Sequence, residues 1–322
     1  MTTDTLAAYA LLAVYSAAAV YVMAFIAYAV DLGRRSSDAL AVQPAARAAS
    51  VASPTPGTTV LAPPAPPAAV DVPARSRALR VAFALTVLGF ALHVGAIVLR
   101  GVAAHRAPWA NMFEFAVTGT GVIVGVFLLV NIWRDVRFIG AYITGLVSLL
   151  LGLAALNVYV GVVPLPPPLQ SAWLVIHVFV AILGTGFFAV GAGLSIAQLL
   201  QARRETGSTE KPLFLRSFPT SEALENTAYR VNVIGFAFWT FTLIAGAIWA
   251  EHAWGRYWGW DTKEVWTFII WVVFAGYIHA RATKGWRGSR SAWLAIIGFS
   301  AVLFNFTVVN LFFKGLHAYS GL

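Results

Sequence analysis

The sequence predicts an all-α, polytopic membrane protein of about eight transmembrane helices. Three observations carry this fold class: 59% of the residues are hydrophobic, only 11% are charged, and the mean hydropathy is +0.76. A soluble chain would carry charge on about a quarter of its residues, so this composition suits hydrocarbon rather than water. The net charge of +9 does not point to nucleic acid, because the basic residues cluster in short segments beside apolar spans, where they act as topology signals. The chain has no cysteine, so it forms no disulfide and runs no thiol relay of its own.

The first apolar stretch, residues 6–30, follows Met-Thr-Thr-Asp-Thr with no Lys or Arg. A signal peptide needs a basic leader and a shorter apolar core, so this stretch is expected to be a retained first transmembrane helix, ending at Arg34 and Arg35. Residues 39–78 are dominated by Ala, Pro and Val, with seven prolines from Pro54 to Pro73. Proline at that density predicts an extended, disordered linker. The expected organisation is an N-terminal transmembrane helix (1–30), an Ala/Pro-rich cytoplasmic linker (31–78) and a membrane domain (79–322).

Seven further spans are predicted at 81–99, 111–132, 138–160, 173–201, 229–250, 265–279 and 292–313, most of them near the roughly 20 residues that cross a hydrocarbon core. Seventeen of the 22 basic residues fall in the segments after helices one, three, five and seven. The positive-inside rule makes that side cytoplasmic. Both termini and the loop between helices six and seven are then expected outside.

That loop is the densest aromatic stretch in the chain. Six of the twelve tryptophans lie between Trp249 and Trp271, interrupted by Glu251, Arg256, Asp261, Lys263 and Glu264. The charges keep the stretch out of the hydrocarbon, so it forms an aromatic shelf at the membrane surface. Indole faces stack on flat aromatic ligands, glycines admit close backbone approach, and Arg256 or Lys263 could meet carboxylates. The competing reading is an interfacial tryptophan belt that only sets height in the bilayer.

The order of residues, Trp254-Gly255-x-x-Trp258-x-Trp260-Asp261-x-Lys263-Glu264-x-Trp266, resembles the tryptophan-rich (WWD) signature of haem-handling proteins of cytochrome c biogenesis, most closely the CcsA type of the system II cytochrome c synthase. Further stretches carry the same resemblance: His105-Arg106-x-Pro108-x-x-Asn111-x-x-Glu114, Trp173-Leu174-x-x-His177-Val178, His279-x-Arg281 and Asn305-Phe306-x-x-Val309-Asn310 followed by Gly315-Leu316-His317. The resemblance spans roughly residues 80 to 320. It implies a bacterial plasma-membrane subunit of a haem-lyase complex that exports haem b (iron protoporphyrin IX) and presents it outside for attachment to an apocytochrome c bearing Cys-x-x-Cys-His. The implied partners are a second membrane subunit of the synthase (ResB-like) and a thioredoxin-like protein that keeps the acceptor thiols reduced. The alternatives are the haem-delivery subunit of the other bacterial pathway (CcmC-like) and a non-haem transporter with an aromatic belt.

The resemblance assigns His177 and His317 as the two axial ligands of an outer haem, with Trp254, Trp258, Trp260, Arg256 and Asp261 around the ring. At about 1.5 Å per residue, His177 lies on the order of 6 Å below the outer start of helix five and His317 just beyond helix eight. Both reach the aromatic loop. His279 is implied as one ligand of an inner haem site. His93 lies about 20 Å up helix two from Arg80, too far to share one iron with His279, so the second inner ligand is expected from the partner. His93 itself reads as a hydrogen-bonded core histidine; His105 and His252 carry no assigned role. Asn111 and Glu114 have the spacing of a helix capping box, with a second possibility that Glu114 orients the loop roofing the haem. Asp261 and Glu264 are placed as N-cap and third residue of helix seven.

Overall fold

The computed structural model describes residues 2–51, 76–165, 169–207, 212–283, 286–313 and 315–317. Among the described residues eight helices are long and apolar enough to cross a membrane, and there is no strand. They are α1 (Thr3–Val51), α2 (Arg77–Ala104), α3 (Met112–Trp133), α4 (Gly140–Asn157), α5 (Ala172–Glu205), α6 (Ser221–Trp254), α7 (Thr262–Ala282) and α8 (Ser289–Phe304). A π-helical turn, Asn305–Val309, and a last short turn, Asn310–Phe312, continue α8. The chain is a multi-pass helical membrane protein.

Each predicted span becomes one helix, but the ends differ where polar residues continue the helix past the hydrocarbon. Helix α1 does not stop at Arg34 and Arg35. Arg35 pairs with Asp31 one turn back at 2.8 Å and also donates to Ser217 at 3.0 Å, so these charges lie along the helix surface. The helix then runs on through an alanine-rich stretch suited to it, to Val51. Residues 52–75, half of the expected linker, lie outside the described residues. Helices α5 and α6 are each 34 residues long, well beyond what a hydrocarbon core of about 30 Å requires. Helix α6 starts eight residues before its predicted span, its first N–H groups capped by the Thr220 hydroxyl; the polar turns around Glu222, Glu225 and Asn226 hide that start from a hydropathy reading.

Between helices in lipid, close fit replaces hydrophobic drive, and the α5–α6 seam shows it. Gly191 lies directly under the Asn232 side chain, where any Cβ would collide. On the next face Phe188 of α5 stacks on Phe274 of α7 at 3.5 Å and 7°. Tryptophans bolt α6 to α7: Trp239 Nε1 donates to the Thr267 carbonyl at 3.1 Å, and Trp271 Nε1 donates to the Thr240 hydroxyl at 3.0 Å.

Two buried charge clusters pin opposite ends of the bundle. At one end Glu225 meets Arg281 at 3.0 Å and accepts from the Gly288 N–H at 3.0 Å and the Ser291 hydroxyl at 3.2 Å, tying α6, α7 and α8. At the other, Glu114 of α3 binds Arg100 of α2 at 3.0 Å and Arg106 of the α2–α3 loop at 2.6 Å. Arg100 also donates to the Val160 and Gly161 carbonyls at 2.7 and 3.0 Å. Glu114 therefore fastens the α2–α3 loop to the start of α3, and Arg100 carries that tie to the segment after α4.

Candidate functional site

Above the seam a cavity of about 560 Å³ opens among α3 to α8. That is within the range of small-molecule and cofactor pockets. Its walls are mostly apolar, from Phe115, Ile123, Leu150, Leu174 and Val302 among others, with His177, Trp249, Lys263, Asn310 and His317 as its chief polar or aromatic groups.

Each histidine is set by a different device. His177, six residues into α5, lies over Gly246 of α6, where an added Cβ would come within 2.7 Å of the imidazole. Its Nδ1 is 3.0 Å from the Thr242 carbonyl oxygen. A carbonyl only accepts, so Nδ1 carries the proton and Nε2 keeps its lone pair. His317 follows Gly315, whose backbone packs against the Asp261 carboxylate, and its Nδ1 is 2.5 Å from Asp261 Oδ2. This too directs the proton to Nδ1 and leaves Nε2 free. An imidazole held through Nδ1 by a carboxylate or carbonyl is the usual arrangement of a metal-ligating histidine.

The two imidazoles meet the same indole. His177 is stacked on Trp249 at 5.8 Å and 13°, and His317 is edge-on to it at 5.6 Å and 63°. Trp254 closes the corner, 4.8 Å from His317 and 4.7 Å from Trp249. Burial pushes the His317 imidazole below its ordinary pKa, against the opposing pull of Asp261. The hydrogen bond from His317 holds the Asp261 carboxyl below the usual carboxylate range. Both shifts favour a neutral imidazole beside an ionised carboxylate, the state that metal ligation needs.

Asp261 has a second task. It forms a capping box with Glu264 at the start of α7, as the sequence suggested, and Glu264 Oε2 accepts from the Asp261 and Gly259 N–H groups at 3.0 and 2.8 Å. Its hold on His317, 56 residues away, had no signal in the sequence. Trp249 was likewise not singled out as a cavity residue, although it opens the tryptophan-rich stretch; of the two cations the sequence offers to carboxylates, Lys263 is the one on the cavity wall.

The other candidates lie elsewhere. Trp258 and Trp260 do not line the cavity; they form an edge-on pair at 5.8 Å. Trp260 is 73% exposed and adopts φ 59°, a left-handed conformation unusual for a non-glycine residue. Arg256 lies across Gly259 and reaches Glu264 at 4.0 Å. His279 is exposed on α7 near the end opposite the cavity. Its neighbour Arg281 is occupied by Glu225 and by Asn226 at 2.5 Å, and lies 4.8 Å from the Tyr229 ring centre.

His93 is fully buried in the core, with Nε2 2.8 Å from the Val117 carbonyl and Nδ1 3.3 Å from the Tyr21 hydroxyl. His105 caps the end of α2 in a left-handed conformation. His252 is exposed, its Nδ1 2.8 Å from the Ile248 carbonyl within α6. Asn111 caps α3 by accepting from the Glu114 N–H at 2.9 Å, but the Glu114 carboxylate turns to Ala110 N and the two arginines rather than back to Asn111. Glu114 thus fixes the loop whose Trp109 and Ala110 line the cavity.

Fold and site together define a class: a polytopic helical membrane protein with a large apolar cavity near one end of the bundle, entered by two neutral, pre-oriented imidazoles. Comparison with known proteins sharpens this. Residues 108–317 match the cytochrome c assembly protein family, and the chain belongs to it, as a member of the CcsA type. It is 35% identical over 252 residues to the cytochrome c biogenesis protein CcsA of Trieres chinensis, covering 69% of this chain and 81% of that one. It is 33% identical over 295 residues to CcsA of Synechococcus sp. (strain JA-3-3Ab), covering 73% and 86%. Among solved structures the fold is similar to the cytochrome c haem lyase CcmF, with a TM-score of 0.64 at 17% identity, covering all of this chain and 49% of that one. The matched family region begins three residues before Asn111 and ends on His317.

Proposed function

We propose that this chain is the haem-handling subunit of a cytochrome c synthase, which carries haem b outward and holds it in the cavity between α3 and α8 for attachment to an apocytochrome. One observation carries the reading: His177 and His317 line one cavity, meet one indole, and each spends Nδ1 on a fixed acceptor while keeping Nε2 free. Two neutral imidazoles and broad apolar walls fit a planar iron macrocycle gripped through its metal. When bound, haem supplies the vinyl groups that take up the two thiols of the acceptor's Cys-x-x-Cys-His. The chain supplies position: Trp249 walls the histidine end with Trp254 packed behind it, Asp261 and Thr242 aim the ligands, and apolar residues exclude water.

The tryptophan-rich segment and the cavity face the extracytoplasmic side of a bacterial plasma membrane, following the distribution of basic residues. His279, exposed on α7, serves an inner site whose second imidazole comes from the other membrane subunit of the synthase. Reduction of the acceptor thiols falls to a thioredoxin-like protein, since this chain has no cysteine. The test is the absorption spectrum of the purified protein. Wild type should show a bis-imidazole Soret band, and His177→Ala and His317→Ala should each shift or lose it. A colourless wild-type protein after haem addition, or unchanged spectra in both variants, would sink the reading.

A further inference from the structure

Two cations stand in the tryptophan-rich stretch, Arg256 and Lys263, and the structure separates them. Arg256 is outside the cavity, spread over Gly259 toward Glu264. Lys263 is on the cavity wall, the one Lys, Arg, Asp or Glu side chain there among the described residues. Its ammonium donates to Asn310 Oδ1, and among the described residues it makes no ion pair. Asn310 is in turn anchored, its Nδ2 donating to the Phe306 carbonyl at 2.8 Å. Asp261 attracts it from beyond ion-pair distance, but an ammonium has three donors, and one bonded to a single neutral amide in an apolar cavity is costly unless an anion joins it directly. The same wall carries two more unmatched polar atoms, Asn111 Nδ2 and Asn305 Oδ1, on side chains 6% and 5% exposed. Buried polar groups without protein partners call for one from water, an ion or a ligand.

We propose that Lys263, steadied by Asn310, is a carboxylate seat built into the cavity, and that it takes a carboxylate of the bound porphyrin. This rests on the haem reading above. Lys263 is two residues from Asp261, which aims His317, so the seat and one axial ligand are fixed to the same first turn of α7. A ring held at its metal alone can spin about the ligand axis. Anchoring one acidic edge at Lys263 would stop that rotation and turn the opposite, vinyl-bearing edge away from Lys263.

The experiment titrates the detergent-purified full-length chain with haem and with haem dimethyl ester, whose carboxylates are masked, and follows the Soret band. Wild type should bind haem at least tenfold more tightly than the ester. Lys263→Met should weaken haem about tenfold and erase the preference, with the bis-imidazole band intact at saturation, which shows that the variant is folded and still ligates through both histidines. Lys263→Arg should restore most of the preference. Equal affinities of wild type for haem and ester, or an unaltered Lys263→Met, would overturn the seat while leaving the haem reading standing. No Soret band in wild type would overturn both. Displacement of haem by a fatty acid but not by its alcohol would assign the seat to a lipid carboxylate and overturn the proposal.

Discussion

At the scale of single residues, the proposed haem site depends on hydrogen bonds that His177 and His317 themselves do not advertise. Asp261 is the clearest case, because one carboxylate serves both the start of α7 and Nδ1 of His317. Asp261→Asn separates the two tasks: asparagine caps a helix about as well as aspartate, but it removes the charge that raises imidazole basicity. Thermal stability should stay near wild type while haem affinity falls about 10- to 100-fold, read from Soret titrations; a matched loss of both would mean that capping is all Asp261 does. His177 and His317 themselves were legible, because each stands in a recognisable local pattern beside the aromatic stretch. The Asp261–His317 contact was not, since no periodicity reports a partner 56 residues away. Nor was the departure of Trp258 and Trp260 from the cavity, which follows from the turn after Gly255 and the left-handed Trp260.

At the scale of elements, hydropathy found every span but misjudged their ends. The spans are apolar enough to read from composition; the polar extensions of α1, α5 and α6 are held by hydrogen bonds and ion pairs between distant segments, such as Arg35 with Ser217 and Ser221 N–H with Glu205 at 3.0 Å. The cluster around Glu114 shows what those contacts support. Two guanidiniums and a backbone N–H share one fully buried carboxylate, and removing the charge leaves both arginines uncompensated. Glu114→Gln should cost about 3–5 kcal/mol and lower the unfolding temperature of the detergent-solubilised protein. The same change should loosen the Trp109 loop, so haem affinity should fall with stability; an unaltered melting temperature would refute the clamp.

For the whole molecule, eight candidate spans among the described residues, an even number, predict that the first and last of them begin and end on one side, and the two buried charge clusters lie at opposite ends of the bundle. The absence of cysteine makes this directly testable. A cysteine introduced at Tyr257, 63% exposed beside the cavity end, should react with a membrane-impermeant maleimide on intact cells. One at Arg287, exposed at the other end, should react only after permeabilisation. The reverse pattern would invert the topology. One further feature governs how the last crossing meets the cavity. Residues five apart on a regular α-helix point about 140° away from one another, yet Asn305 and Asn310 both border the cavity, because the wider turn between them, Asn305–Val309, absorbs a surplus residue. The phase of everything downstream hangs on that one extra step: tightened to ordinary winding, the strand of chain leading to His317 would be swung aside by roughly 100°, and a complete span would end facing the wrong neighbour.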